Sequence, residues 1–262
     1  MITFINTDNI LRYESFEYNL LSEDSNRNVL ICPWHTLYTR NLLDTLPNES
    51  YDYTICKFHL VGTPIQTKIE QMGISKVLTP HASTRDNCQF QTIPYFHFTG
   101  PAIELKKDIH YSFMGWSNVN SLRQKMFEIV GQNPYFIGNS SGFWSKGNNT
   151  NNDLELKYCD LLGRSRFSIC PKGAGPGTMR FWESLKCGSI PILISDSVIL
   201  PSDWDWANTI VRISERSLFT ERNAIERAIF SIKQSDEIKM RANCRAAFNY
   251  FYSVNYIKGL LI

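Results

Sequence analysis

One uninterrupted run, residues 164–200, most constrains the fold, because it predicts a strand, a glycine-rich turn, a helix and a second strand in succession. Residues 167–170 form a short apolar run that ends at Pro171, and residues 190–194 have the composition of a strand buried on both faces. The loop and helix between them are close to the shortest connection that can join two parallel strands. The run therefore predicts a β-α-β unit.

The turn of this unit has the composition of an anion-binding loop. Residues 172–177 have the sequence KGAGPG and precede a helix that Thr178 can cap. A helix start offers free N–H groups and a partial positive charge to an anion, and Gly173 and Gly175 permit its close approach. An ordinary strand-to-helix turn has a similar composition, so the loop alone leaves both interpretations open.

Charged side chains around the loop favour the anion-binding interpretation. Arg166, Lys172 and Arg180 lie close together in the sequence, and Glu183 follows Arg180 by one helical turn. Arg180 and Glu183 can also form a solvated ion pair, which would contribute only about 0.2–0.5 kcal/mol. In the functional interpretation the cations hold a diphosphate, while Glu183 accepts hydrogen bonds from a ribose diol.

Four short segments within residues 164–200 follow one another in a characteristic order and spacing. They are Ser165-Arg166-Phe167, Cys170-Pro171-Lys172-Gly173, Arg180-Phe181-Trp182-Glu183 and Gly188-Ser189-Ile190-Pro191. This pattern resembles the C-terminal signature of the exostosin-like glycosyltransferases. The resemblance continues through Leu200-Pro201 and Asp205-Trp206 and more faintly back to residues 111–115 and Arg123, so that it covers about half of the chain.

The resemblance implies an inverting glycosyltransferase of the GT-B type, an α/β protein with two Rossmann-like lobes of which the N-terminal one is small. The donor would be a nucleotide-diphosphate sugar, most often a UDP-sugar, and the acceptor a hydroxyl group of a glycan, as in glycan biosynthesis. No metal or other cofactor is implied. Together with the helix start, the resemblance assigns donor binding to Arg123, Ser165, Arg166, Lys172, Gly173, Gly175, Thr178, Arg180 and Glu183.

Two alternatives remain open from the sequence. A non-catalytic nucleotide- or glycan-binding module would have the same loop without the chemistry. Asp203-Trp204-Asp205 also matches the Asp-x-Asp signature of metal-dependent glycosyltransferases. Such a triplet normally closes an apolar strand, whereas this one follows Leu200-Pro201, where the exostosin pattern has a short helical turn packed by aromatic residues. We therefore expect no metal ligands here.

Alternating apolar runs and helical segments predict how the chain divides into lobes. A parallel α/β sheet is predicted in residues 1–105, which would form the acceptor-side lobe. The alternation restarts at Tyr111, so residues 106–240 are predicted to form the lobe that binds the nucleotide sugar. Residues 241–262 are predicted to form a C-terminal helix that packs back on the first lobe.

The first lobe also contains the candidates for a catalytic base. All five histidines lie within the first 110 residues. Inverting transfer requires a base near the acceptor hydroxyl, and open α/β sheets bind ligands beyond the carboxyl ends of their strands. His35, His81 and Asp86 follow predicted strands in this way, although a structural role remains open for each of them.

Composition limits the partners and the compartment. A net charge of +2 does not favour a broad nucleic-acid-binding surface. Residues 1–20 lack a signal-peptide pattern, and no apolar stretch has membrane-spanning length. Seven cysteines without a C-x-x-C pair favour buried thiols in a reducing compartment. We therefore expect a cytoplasmic chain without a membrane span, unlike the Golgi-anchored animal and plant members of the family.

Overall fold

The computed structural model describes residues 2–4, 28–32, 34–56, 64–85, 90–95, 105–130, 133–139 and 152–260. These residues fall into two compact units, each with its own parallel sheet. Unit 1 consists of Met1–His97, Ser197–Pro201 and Tyr250–Ile262, and unit 2 consists of Phe98–Asp196 and Ser202–Asn249. The α/β class with two parallel sheets that the sequence predicts is thereby confirmed.

The described residues of unit 1 form five parallel strands in sequential order. The strands are β1 (Ile2–Phe4), β2 (Val29–Ile31), β3 (Tyr53–Ile55), β4 (Lys76–Thr79) and β5 (Phe90–Thr92). Helix α1 (Trp34–Thr39) follows β2, and α2 (Pro64–Gln71) follows β3. Strand β5 is not predicted by the sequence pattern, because its three residues contain only one apolar side chain.

Both faces of the unit 1 sheet are covered. Leu30 belongs to a buried cluster with residues of α1 and α2, whereas its neighbours Val29 and Ile31 belong to a second cluster that includes Leu260. This follows from strand geometry, because successive side chains point to opposite faces. The second cluster also includes Tyr252 and Tyr256, so the last part of the chain covers one face of this sheet.

The apolar spacing of residues 36–46 predicts one helix, but the helix is shorter in the structure. Helix α1 ends at Thr39, and a separate 3-10 turn occupies Leu43–Thr45. Between them, Asn41 has a φ of 56°, in the left-handed region that interrupts a right-handed helix. Asparagine is one of the few residues that adopt this conformation readily, which explains the break.

In unit 2 the part of the chain that the structure describes forms five parallel strands in the order β10-β9-β8-β6-β7. They are β6 (Ile109–Trp116), β7 (Phe136–Asn139), β8 (Ser165–Pro171), β9 (Ile190–Ile194) and β10 (Val211–Arg212). The described helices of unit 2 are α3 (Ser121–Val130), α4 (Asn152–Arg164), α5 (Met179–Lys186), α6 (Glu215–Thr220), α7 (Ala224–Phe230) and α8 (Gln234–Phe251). The last two residues of α8 belong to unit 1, as does α9 (Val254–Gly259). Within the described part of the chain, no helix has the length and apolar character needed to span a membrane.

The predicted β-α-β unit is present as β8, α5 and β9. The two strands pair in parallel from Phe167 opposite Ile190 to Pro171 opposite Ile194. The connections from β6 and from β8 lead in opposite directions along the sheet, so that a topological switch point lies between these two strands. In open parallel sheets this is where a crevice forms beyond the carboxyl ends of the strands.

Candidate functional site

The glycine-rich loop joins the carboxyl end of β8 to helix α5. Thr178 is the N-cap residue of α5 and has extended backbone angles, but its side chain makes no capping hydrogen bond within the described residues. Lys172 N–H donates to Ile194 O at 3.0 Å, and Gly173 N–H donates to Gly177 O at 3.3 Å. The loop is therefore closed on itself and attached to the end of β9.

A side chain at position 173 would only just contact the neighbouring groups. A Cβ atom at this position would lie 3.4 Å from Gly177 O and 3.7 Å from Nη2 of Arg123. Further along the loop, Gly175 is buried and Ser195 donates a hydrogen bond to Pro176 O at 2.9 Å. The loop thus contacts both Arg123 and Ser195 at the end of the sheet.

Arg123 on α3 holds this loop from the side of β6. Its Nε donates to Lys172 O at 3.0 Å, its Nη2 to Pro171 O at 3.4 Å and its Nη1 to Trp116 O at 3.0 Å. The side chain is 7% exposed, and burial together with the nearby Arg180 lowers the pKa of Arg123 to about 9. Arg123 therefore joins the ends of β6 and β8 across the switch point, and its donors are directed to the backbone.

Asn120 makes a second link between α3 and the loop. Its side-chain amide donates to Gly173 O at 2.9 Å and to Lys172 O at 3.3 Å, while its carbonyl oxygen accepts from Arg123 N–H at 3.0 Å. Asn120 thus caps α3 and orients the loop carbonyls at the same time. Sequence reasoning missed this residue, although an asparagine just before a helix is a typical N-cap signal.

Arg180 extends from the first turn of α5 to the end of β6. One terminal nitrogen donates to Met114 O, and the guanidinium carbon lies 4.2 Å from the centre of the Phe113 ring. A Cβ atom on Gly115 would collide with this guanidinium group, so the glycine gives it space. Arg180 is 7% exposed, and its Nε has no hydrogen-bond partner among the residues the structure describes. An unpaired buried donor is uncommon in folded proteins.

Glu183 lies one helical turn further along α5. It is 3% exposed, and its carboxylate accepts a hydrogen bond from the Tyr158 hydroxyl of α4. Burial and the adjacent carboxylate raise the pKa of Tyr158, so its hydroxyl remains a donor. Because Arg180 and Glu183 are both buried, they do not form the solvated ion pair that was the alternative interpretation of their spacing.

Lys172 is paired with a carboxylate that the sequence patterns did not single out. Its ammonium group forms an ion pair with Glu215 at the start of α6. The other carboxylate oxygen of Glu215 accepts from Asp196 N–H at 3.1 Å, and Glu215 N–H donates to Asp196 Oδ1 at 3.0 Å. These three residues follow β8, β9 and β10, so their contact depends on the order of strands in the sheet and cannot be seen in a local motif.

Two predicted donor-binding residues lie away from the loop. Nε of Arg166 is 3.0 and 2.9 Å from the two carboxylate oxygens of Glu237, and the Ser165 hydroxyl, fully buried, donates to Leu161 O at 2.6 Å. Both residues begin β8, whereas the loop follows its end. A strand of this length separates its ends by roughly 20 Å, because each residue adds about 3.3 Å. The structure therefore does not bring Arg166 and Ser165 to the helix start.

The candidate bases belong to unit 1. His81 follows β4, and its Nε2 is hydrogen-bonded to the Tyr95 hydroxyl, with the direction of donation set by the tautomer. Burial raises the pKa of Tyr95, so its hydroxyl stays protonated. Asp86 lies outside the described residues. His35 lies in α1, but its side chain is likewise outside the part of the chain that the structure describes.

The Asp-x-Asp triplet leads into a short helical turn. Oδ1 of Asp205 accepts from Asn208 N–H at 3.3 Å, and Oδ2 accepts from the Asn208 side chain at 2.7 Å. This contact caps the 3-10 turn Trp206–Asn208, whose Trp206 ring lies 5.4 Å from Phe181 and 6.2 Å from Trp182. The segment is thus a helical turn packed by aromatic residues, as the sequence resemblance implies.

Comparison with known proteins gives a consistent family match. The model of the Exostosin GT47 domain matches residues 57–229, more than half of the chain. The Exostosin-1 homolog of Caenorhabditis elegans is 31% identical over 104 residues, which cover 38% of this chain and 26% of that protein. A probable glucuronoxylan glucuronosyltransferase of Arabidopsis thaliana is 33% identical over 63 residues, which cover 23% of this chain and 14% of that protein. The matched segments thus span only a minor part of these relatives.

A solved structure shares the fold. A mutant of TarM from S. aureus, crystallised with UDP, fondaparinux and α-GlcNAc-glycerol, superimposes with a TM-score of 0.51 over 88% of this chain and 54% of its own, at 12% sequence identity. At this level of identity the likeness concerns the fold alone. It confirms the two-lobed α/β architecture of the GT-B type.

Proposed function

The chain belongs to the exostosin GT47 family, and on this premise we propose that it is an inverting glycosyltransferase. It would transfer a sugar from a nucleotide-diphosphate sugar, with a UDP-sugar as the first candidate, to a hydroxyl group of a glycan acceptor. The observation that carries the proposal is the position of Arg180. Its buried guanidinium group joins the start of α5 to the end of β6 at the switch point and retains an unpaired donor among the described residues.

In this proposal unit 2 binds the diphosphate of the donor. Lys172, Arg180 and the N-terminus of α5 supply positive charge next to the loop. Such preorganised charge lowers the barrier to transfer, because negative charge develops on the leaving diphosphate in the transition state. Arg123 and Asn120 support the loop by binding its carbonyl oxygens, and we therefore assign them a positioning role.

We propose that Glu183 binds the ribose of the donor, although its carboxylate already has a hydrogen-bond partner in the structure. The carboxylate is nearly buried and accepts the hydroxyl of Tyr158. To bind a ribose diol, Glu183 has to turn toward the loop and exchange or share this hydrogen bond. Glu183 can otherwise act as a support for the α4–α5 contact, and replacement by alanine with unchanged UDP affinity would favour that role.

A thermal-shift screen against sugar nucleotides tests the proposed function. A ligand at one hundred times its dissociation constant stabilises the folded state by about 2.7 kcal/mol, so the true donor should raise the unfolding temperature clearly. We expect UDP to stabilise the protein more than UMP, because the loop is proposed to bind the second phosphate. A screen in which no nucleoside diphosphate or sugar nucleotide stabilises the protein would contradict the proposal.

A glycan- or nucleotide-binding module without catalysis is the second candidate. It would show the same thermal shifts, because binding alone stabilises the folded state. Slow release of UDP from the stabilising sugar nucleotide in water distinguishes the two, since transfer to water requires a catalytic site. Stabilisation without any release, in the presence or absence of glycan acceptors, would favour the binding module.

Activity is expected to persist when divalent metals are chelated. The positive charges of Lys172, Arg180 and the start of α5 offset the charge of the leaving diphosphate, a role that a metal ion fills in other transferases. Both carboxylate oxygens of Asp205 are already used in capping the turn after it. Turnover measured with and without EDTA should agree within the error of the assay. Complete loss in EDTA that manganese restores would contradict this expectation and make Asp203 and Asp205 candidate metal ligands again.

A further inference from the structure

The ammonium group of Lys172 forms an ion pair with Glu215, and the same carboxylate also accepts a backbone hydrogen bond. One of its oxygens pairs with Lys172, and the other accepts from Asp196 N–H at 3.1 Å. The backbone N–H of Glu215 donates to Asp196 in return, at 3.0 Å. Helix α6 is itself capped by Ser214, whose hydroxyl accepts from Ser217 N–H at 3.0 Å. The side chains of Lys172 and Glu215 are 31% and 20% exposed, so the pair is partly shielded from water.

From this geometry we propose that Glu215 is an internal counter-ion that competes with the donor diphosphate for Lys172. The inference rests on the proposed function and adds to it a residue that sets the affinity for nucleoside diphosphates. A carboxylate and a phosphate oxygen make the same kind of charge-assisted hydrogen bond to an ammonium group. The diphosphate therefore binds Lys172 only by displacing Glu215 or by sharing the ammonium with it.

The competition has a functional consequence. Glu215 lowers the affinity for the donor and for the nucleoside diphosphate product alike, because both carry the diphosphate. After transfer, the carboxylate re-forms its pair with Lys172 as the product leaves. Since Asp196 N–H keeps the carboxylate close to Lys172 throughout, the exchange needs only a short movement of the side chains. Glu215 thus assists product release at the expense of donor affinity.

The isosteric substitution Glu215→Gln tests this directly. Glutamine retains an oxygen that can accept from Asp196 N–H, but it removes the negative charge beside Lys172. We expect calorimetry to show that UDP binds this variant about fivefold more tightly than wild type, because UDP no longer has to displace a carboxylate from a partly exposed ion pair with Lys172. Asp196→Asn is the matched control, because it removes a neighbouring charge whose carboxylate contacts Glu215 N–H instead of Lys172.

A double-mutant cycle with Lys172→Met separates competition from a general field effect. In the Lys172→Met background, Glu215→Gln should change UDP affinity by less than about twofold, because no ammonium is left to compete for. Tighter binding by Glu215→Gln that disappears in this background supports the inference. Unchanged or weaker binding by Glu215→Gln, an equal gain in Asp196→Asn, or a gain that persists without Lys172 would overturn it. Failure of the wild type to bind any nucleoside diphosphate would instead overturn the proposed function itself, and the inference with it.

Discussion

Replacing Arg180 by glutamine is expected to lower kcat/KM for the sugar donor by about 10²–10³-fold, the usual effect of removing one preorganised donor to a developing negative charge. Glutamine removes the charge and is too short to reach from α5 to Met114 O at the end of β6. The loss should appear mainly in kcat, because the charge on the diphosphate grows in the transition state. Steady-state kinetics with the donor identified in the thermal-shift screen measures it.

Arg166→Gln is the matched control for this variant. The sequence pattern predicts the same role for Arg166 and Arg180, but in the structure Arg166 pairs with the buried Glu237 at the other end of β8. We expect this variant to be less stable, because it leaves Glu237 without its main partner. Its kcat/KM should remain within about twofold of wild type. Similar losses of kcat/KM in both variants would show that unfolding, and not the loss of a diphosphate contact, explains the effect of Arg180→Gln.

The second large effect is expected at the catalytic base. If His81 or Asp86 takes the proton of the acceptor hydroxyl, His81→Ala or Asp86→Asn should lower kcat by about 10²–10⁴-fold while UDP affinity stays near that of wild type. Separate measurements of kcat with saturating acceptor and of UDP affinity by calorimetry distinguish this result from a damaged donor site. The expectation for Asp86 comes from the sequence alone.

Tyr95→Phe is the control for His81. It removes the hydroxyl that binds Nε2 of His81 and leaves the aromatic ring that packs edge-on against the imidazole. In Tyr95→Phe the imidazole of His81 is still present and loses only the hydroxyl that orients it, whereas His81→Ala removes the imidazole itself. Tyr95→Phe should therefore reduce kcat less than His81→Ala. If neither His81→Ala nor Asp86→Asn lowers kcat tenfold, both assignments fail and His35 becomes the next candidate.

The sequence predicts the parts of the fold that are determined by residues close together along the chain. The apolar runs of β8 and β9, the glycine-rich turn and the buried face of α5 all lie within residues 164–200, so their local patterns agree with the final structure. The short strand β5 and the break at Asn41 were missed for a related reason. Three residues carry too little periodicity to indicate a strand, and a single left-handed residue leaves no signature in an apolar pattern.

The candidate site is predicted less completely, because its contacts are long-range. Lys172 and Glu215 are 43 positions apart, and Tyr158 and Glu183 are 25 apart, so no local spacing could have paired them. Arg166 was grouped with Lys172 because they are close in sequence. Along an extended strand, however, seven residues already separate the two ends by roughly 20 Å. Arg166 lies near the start of β8 and the loop follows its end, so the two are far apart.

A calorimetric titration with UDP tests the central claim, that the loop and Arg180 bind the diphosphate of the donor. We predict saturable binding of one UDP by the wild type, and binding weaker by at least about tenfold in Arg180→Gln, since a hydrogen bond to a charged group contributes about 1.5–3 kcal/mol. Arg166→Gln should bind UDP as the wild type does. No binding by the wild type, or equal affinity in wild type and Arg180→Gln, would show that Arg180 does not bind the diphosphate.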